Sequence, residues 1–144
     1  MLRIRLSVVA LALVGALGLT LATGGAAAAA TRLSATLSGQ AEKPTAGNGT
    51  GSARITLKRA KGQICFRITL KNVGTVMAGH IHKGGKQTAG PIAVPLFDTP
   101  TGQPKGCASA KKSVIRAIKR HPARYYVNVH NAKYPGGAAR GQLH

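Results

Sequence analysis

The stretch from Ser52 to Lys71, "SARITLKRAKGQICFRITLK", alternates apolar and polar residues in two runs separated by the link "RAKG". A side-chain period of two belongs to a strand with one face on a core, and it cannot lay an apolar stripe along a helix. In the first run Ile55 and Leu57 alternate with Arg54, Thr56 and Lys58. In the second, Ile64, Phe66, Ile68 and Leu70 share a face, leaving Cys65, Arg67, Thr69 and Lys71 on the other. Gly62 in the link predicts a hairpin.

The same pattern predicts strands over Arg32 to Ser38, Val76 to His82, Ile92 to Phe97, Arg124 to His130 and Ala138 to Leu143. Between them lie clusters of turn-formers, among them Pro44, Gly84, Gly85, Gly90, Pro91, Pro100, Pro104, Pro135, Gly136 and Gly137. Short strands punctuated in this way predict an all-β fold, an antiparallel β-sandwich or Greek-key barrel. One segment departs from the pattern. "SAKKSVIRAIKRHP" places Ala110, Val114, Ala117 and Ile118 at helical spacing, with Ser109 as the expected cap and Pro122 past the end. It predicts one short helix with a basic outer face, covering a sheet end.

The chain opens with Arg3 and Arg5, an apolar run from Leu6 to Leu21 and then small residues. That order is the order of a secretory signal peptide, expected over residues 1–30 with cleavage near Ala28 to Ala30. Residues 31–144 then form one domain, too short for two cores. No second apolar run follows the leader, so a protein without a transmembrane segment, secreted or held at the cell surface, is expected. Outside the cytosol Cys65 and Cys107 are expected to pair as a disulfide.

Charge narrows the partners. The full sequence carries 21 Lys and Arg against two acids, Glu42 and Asp98, for a formal net charge of +19. Such an excess attracts polyanions at long range. Nucleic acid is disfavoured, because base stacking wants exposed aromatic platforms and the mature chain has only Phe66, Phe97, Tyr125, Tyr126 and Tyr134, with no Trp. Anionic envelope polymers, lipid headgroups or an extracellular protein fit better. A surface kept basic simply for solubility is the alternative.

Candidate chemistry rests on histidine. In "GHIHKG", His80 and His82 stand two apart on a predicted strand, pointing the same way with Cα atoms about 6.6 Å apart. In "YVNVHN", Val127 and Val129 take the core face while Tyr126, Asn128 and His130 lie opposite. If the two strands are neighbours, three neutral imidazoles meet, a set suited to Zn, Cu or Ni rather than Ca or Mg. No cofactor is required by this pattern; Cu or Zn is the metal it would take. Catalysis is not expected. Hydrolytic zinc chemistry needs a base beside the bound water, neither acid stands in a recognisable relation to the histidines, and no Gly-x-Ser-x-Gly nucleophile turn is present. With so few acids, Arg140 in the closing "YPGGAARGQLH" is expected to form an ion pair with Glu42.

Three blocks, "LSGQAEKP", "AGHIHKGGKQTAGPIAVPLF" and "YYVNVHNAKYPGGAARGQL", together resemble the CHRD domain, a module repeated in chordin and found singly in exported bacterial proteins. The resemblance covers about residues 33–143 and falls on Leu37, Gly39, Glu42 and Pro44, then His80, Ile81, His82, Gly84, Gly90 and Pro91. It closes on Tyr126 to His130, Pro135 to Gly137 and Arg140 to Gln142. Relatives commonly carry an acid after the Gly pair, where this chain has Ala138. The resemblance implies an extracellular binding or structural module without an assigned activity. The His-x-His strand is also similar in local pattern to copper/zinc superoxide dismutase, which needs a larger His set and a zinc-bound Asp. Here the remaining histidines, His121 and His144, lie at the helix end and the terminus. The expected function is adhesion of a basic module to anionic envelope or extracellular material, with metal binding at His80, His82 and His130 as the alternative and a dismutase-like enzyme a distant third.

Overall fold

The structure is a computed structural model describing residues 29–144. The predicted leader therefore lies, but for its last two positions, outside the described residues. Among the described residues, no helix is long and apolar enough to cross a membrane.

Eight antiparallel strands form one sheet: β1 (Thr31–Ser38), β2 (Thr50–Lys58), β3 (Gln63–Lys71), β4 (Ala78–Lys83), β5 (Ile92–Phe97), β6 (Lys105–Ser109), β7 (Tyr125–His130) and β8 (Ala139–Gln142). Their order across the sheet is β5-β4-β7-β8-β1-β2-β3-β6. The two edge strands, β5 and β6, come into contact, so the sheet rolls almost into a closed barrel. Phe66 of β3 and Phe97 of β5 stack across that seam with ring centroids 5.9 Å apart. The all-β expectation holds, and near-closure leaves little unpaired edge to seed aggregation.

The predicted hairpin sets the register. Ile55 faces Phe66, Arg54 faces Arg67 and Leu57 faces Ile64, and Gly62 closes the link in a left-handed conformation (φ 62°) that a side chain would resist. Inside the roll, Leu37, Ile55, Ile64, Ile68, Ile81, Val94, Val127 and Val129 are buried almost completely. Helix α1 (Lys112–Arg120) plugs one end with Ile115 and Ile118, both buried. Two details of the expected helix change. Ser109 ends β6 instead of capping α1, whose N-cap is Lys111 with no side-chain hydrogen bond. The buried pair is Ile115 and Ile118, with Val114 and Ala117 partly buried beside it, and the helix begins two residues later than a Ser109 cap would place it.

Strand β6 was not expected. "KGCAS" has no β-branched or large apolar residue and so carries no visible alternation. Its place is fixed by pairing with β3, which sets Cys107 directly opposite Cys65, and the two are joined as a disulfide. That bond staples an edge strand to the body of the sheet.

Candidate metal centre

The sheet has a second buried face. On β4, β7 and β8, the residues opposite the apolar core are His80, His82, Tyr126, Asn128, His130, Arg140 and Gln142, and Asn128 and Arg140 are only 3% exposed. Alternation predicts that this face points outward; its burial comes from loops that fold over it. The register places Ala78 opposite His130, His80 opposite Asn128, and His82 opposite Tyr126. Asn128 is in turn opposite Arg140. All three candidate histidines therefore converge on one patch of adjacent strands, an arrangement the sequence permits without demanding it, and one ligand atom from each lies within 4.8 Å of the others.

Hydrogen bonds to the ring nitrogens decide what these rings can do. His82 Nδ1 lies 2.8 Å from the carbonyl oxygen of Gly90, and His130 Nδ1 lies 2.9 Å from that of Pro135. A carbonyl can only accept, so each Nδ1 carries the proton and each Nε2 presents a bare lone pair. A backbone carbonyl on the far nitrogen is the usual support of a metal-ligating histidine. His80 Nδ1 lies 3.0 Å from His130 Nε2 and, since the latter is unprotonated, donates to it. The proton in that bond occupies the place an ion would take. Tetrahedral zinc with bonds of about 2.0–2.1 Å sets its ligands about 3.3 Å apart, close to the 3.0 Å spacing of the His80–His130 pair. His82 Nε2 is buried and has no hydrogen-bond partner.

Electrostatics keep the rings neutral. Burial is the largest cause for all three. His80 is pushed down to about 4, with the neighbouring His130 and His82 adding to the effect. His82 is lowered by burial, against a rise from its Gly90 hydrogen bond, with the Arg140 charge lowering it further. His130 is likewise lowered by burial, against its bond to Pro135, with His82 contributing. Three unprotonated imidazoles at neutral pH are what a transition metal requires.

His82 is held from two sides. Its ring stacks on Tyr126, centroids 4.9 Å apart and planes 6° from parallel, and the guanidinium of Arg140 lies over the Tyr126 ring at 3.4 Å from its centroid. The backbone N–H of Gly90 donates to the Tyr126 hydroxyl at 3.1 Å, while the Gly90 carbonyl accepts from His82. Arg140 also donates to the carbonyls of Thr88 and Gly85, and Gln142 to that of Gly84. These bonds strap the loop after β4 over the sheet.

This corrects the expected Glu42–Arg140 ion pair. Arg140 spends its donors on loop carbonyls, while the Glu42 carboxyl accepts from Asn128 Nδ2 at 3.0 and 3.1 Å and feels Arg140 only through its field. Burial raises the Glu42 pKa to about 7, against lowering by the Arg140 charge and the Asn128 hydrogen bond. Gly137, at φ 150°, lets the backbone pass beside this pair: a Cβ there would stand 2.5 Å from Glu42 Oε2 and 2.8 Å from Asn128 Nδ2. Sequence reasoning missed the carbonyls of Gly90 and Pro135 and the platform role of Tyr126. The available signal was that Tyr126 shares the alternating face with His130.

The fold and this site define a single rolled-up antiparallel domain with a buried three-histidine cluster beneath its loops. Residues 33–143 match the CHRD domain. The chain belongs to the CHRD-domain family. No curated protein and no solved structure matches it.

Proposed function

We propose that this protein is an extracellular binding module that holds a transition-metal ion, zinc or copper, through His80, His82 and His130. One observation carries the reading: the unpartnered, buried Nε2 of His82, set among the ligand atoms of two further neutral imidazoles. Leaving such a nitrogen unbonded costs about 1–3 kcal/mol in a site with no other use for it. A bound ion removes that cost. Three protein ligands leave a coordination position for water or an outside group. Glu42 is committed to Asn128, and no Asp or Glu joins the three-histidine group among the described residues, which favours holding the ion over turning over a substrate.

The test is elemental analysis of protein purified without a polyhistidine tag, beside His82→Ala prepared in the same way. Near-stoichiometric zinc or copper in the parent and little in the variant is the expected result; negligible metal in both after exposure to either ion overturns the proposal.

A second reading is favoured by charge. The full sequence carries 21 Lys and Arg against two acids, one of them buried, a charge balance that supports adhesion to anionic envelope or extracellular material. Retention on an anionic matrix is expected to fall steeply with salt, and retention indifferent to salt rules the reading out.

A further inference from the structure

The basic residues are not scattered evenly. On the outer face of β1, β2, β3 and β6, Ser34, Arg54, Arg67 and Lys105 are successive cross-strand partners in a single row. Arg54, Arg67 and Lys105 are all exposed. Adjacent strands lie about 4.8 Å apart, so three cations stand along about 10 Å of sheet. Like charges directly opposite one another destabilise a sheet. Arg32 stands one step along the same face, in register with Thr56 and, beyond it, Cys65. His144 closes the end of the face, its Nε2 2.9 Å from Ser34 Oγ. Together Arg32, Ser34, Arg54, Thr56, Arg67 and His144 line a groove of about 490 Å³ that no Asp or Glu enters.

The groove disfavours two occupants that cations alone would admit. Insertion into a membrane surface needs an apolar wedge beside the charges, and among the described residues the large exposed apolar side chains, Met77 and Ile92, lie just before β4 and on β5 rather than in the groove. Single-stranded nucleic acid takes up rings to stack on, and of the two rings at the groove Phe66 is 7% exposed while His144 is engaged with Ser34 Oγ. What remains is a hydrophilic polyanion. The planar guanidinium fork grips phosphate oxygens two at a time, and a row of three cations across three strands asks for several phosphates joined in line.

We infer that the Arg54–Arg67–Lys105 row is a docking track for an extended, non-nucleic phosphate polymer, with Arg32 and His144 at its margin. This rests on the adhesion reading and gives it a place on the molecule. It is independent of the histidine cluster, which belongs to the β4–β7 part of the sheet.

The probe is long-chain inorganic polyphosphate, measured by calorimetry at moderate salt against the whole mature protein, the pair Arg54→Gln/Arg67→Gln, and the pair Arg116→Gln/Lys119→Gln on the exposed face of α1. Each pair removes the same charge. The row pair is expected to weaken binding by about tenfold or more, since each lost charge-assisted contact exceeds a neutral hydrogen bond, and the helix pair by about twofold or less. Orthophosphate at equal phosphorus is expected not to compete. Equal losses in the two pairs, or full competition by orthophosphate, overturn the track while leaving adhesion standing. Binding to phosphatidylglycerol vesicles without binding to polyphosphate overturns it in the same way, whereas binding to neither removes the adhesion reading as well. Unchanged urea midpoints and circular dichroism are expected in both pairs; if the row pair alone loses its fold, Arg67→Lys, which keeps the charge and removes the fork, is read in its place and is expected to bind more weakly than the parent.

Discussion

Glu42→Gln is expected to stabilise the metal-free protein, and only above the pH at which the native carboxyl would ionise. The side chain is 4% exposed and its pKa rises from 4.5 to about 7 on folding, chiefly through burial. A carboxyl whose pKa rises on folding binds more protons in the native state, so its contribution to stability falls as pH climbs through that window. At 1.36 kcal/mol per pH unit the change amounts to at most about 3 kcal/mol, and about 2 kcal/mol with partial solvent screening. Glutamine keeps the acceptor that Asn128 needs and never ionises. Urea unfolding of both proteins in chelator, disulfide intact, from pH 4 to 8.5 reads the difference. The variant's advantage is expected to be near zero at pH 4, to grow through the window and to level off above pH 7, where it shifts the urea midpoint upward by about 1 M for an m-value of about 2 kcal/mol/M. The three histidines titrate in both proteins and cancel in the difference. A variant less stable than the parent at pH 8, or a gap that does not change with pH, refutes the reasoning.

The lowered pKa values of His80, His82 and His130 act with the opposite sign: their native forms resist protonation, so the metal-free Glu42→Gln protein is expected to lose stability as pH falls from 6.5 toward 4, and a flat profile there contradicts their burial. Cys65→Ser/Cys107→Ser opens a loop spanning 42 residues of sequence and is expected to cost roughly 4 kcal/mol in the loop-entropy account, read as a lower urea midpoint. Gly137→Ala drives a methyl toward Glu42 and Asn128 at a positive φ and is expected to destabilise by more than about 1 kcal/mol in the same assay. Tyr126→Leu removes the ring beneath His82 and is expected to weaken zinc affinity about tenfold or more by competition with a chromogenic chelator, while unchanged affinity denies Tyr126 its positioning role.

Much of this architecture is legible in the sequence because burial on one side of a sheet writes a period of two. Ile55 to Leu70 show it, and the hairpin between them follows from Gly62. The same rule puts His80 and His82 on one face and His130 with Tyr126. That β4 and β7 are neighbours is a long-range pairing that local pattern does not encode. Strand β6 was illegible because a disulfide and a neighbour, rather than side-chain alternation, hold it in place. The Glu42–Arg140 expectation missed for a related reason. Counting opposite charges ignores the backbone carbonyls of a loop, and those of Gly85 and Thr88 claimed the guanidinium.

X-ray absorption at the zinc or copper edge of the loaded protein addresses the three-histidine centre most directly. Three imidazole nitrogens at about 2.0–2.1 Å, with one scatterer lost in His82→Ala, is the predicted spectrum. An ion surrounded by oxygen alone, or a spectrum that His82→Ala leaves unchanged, contradicts the account.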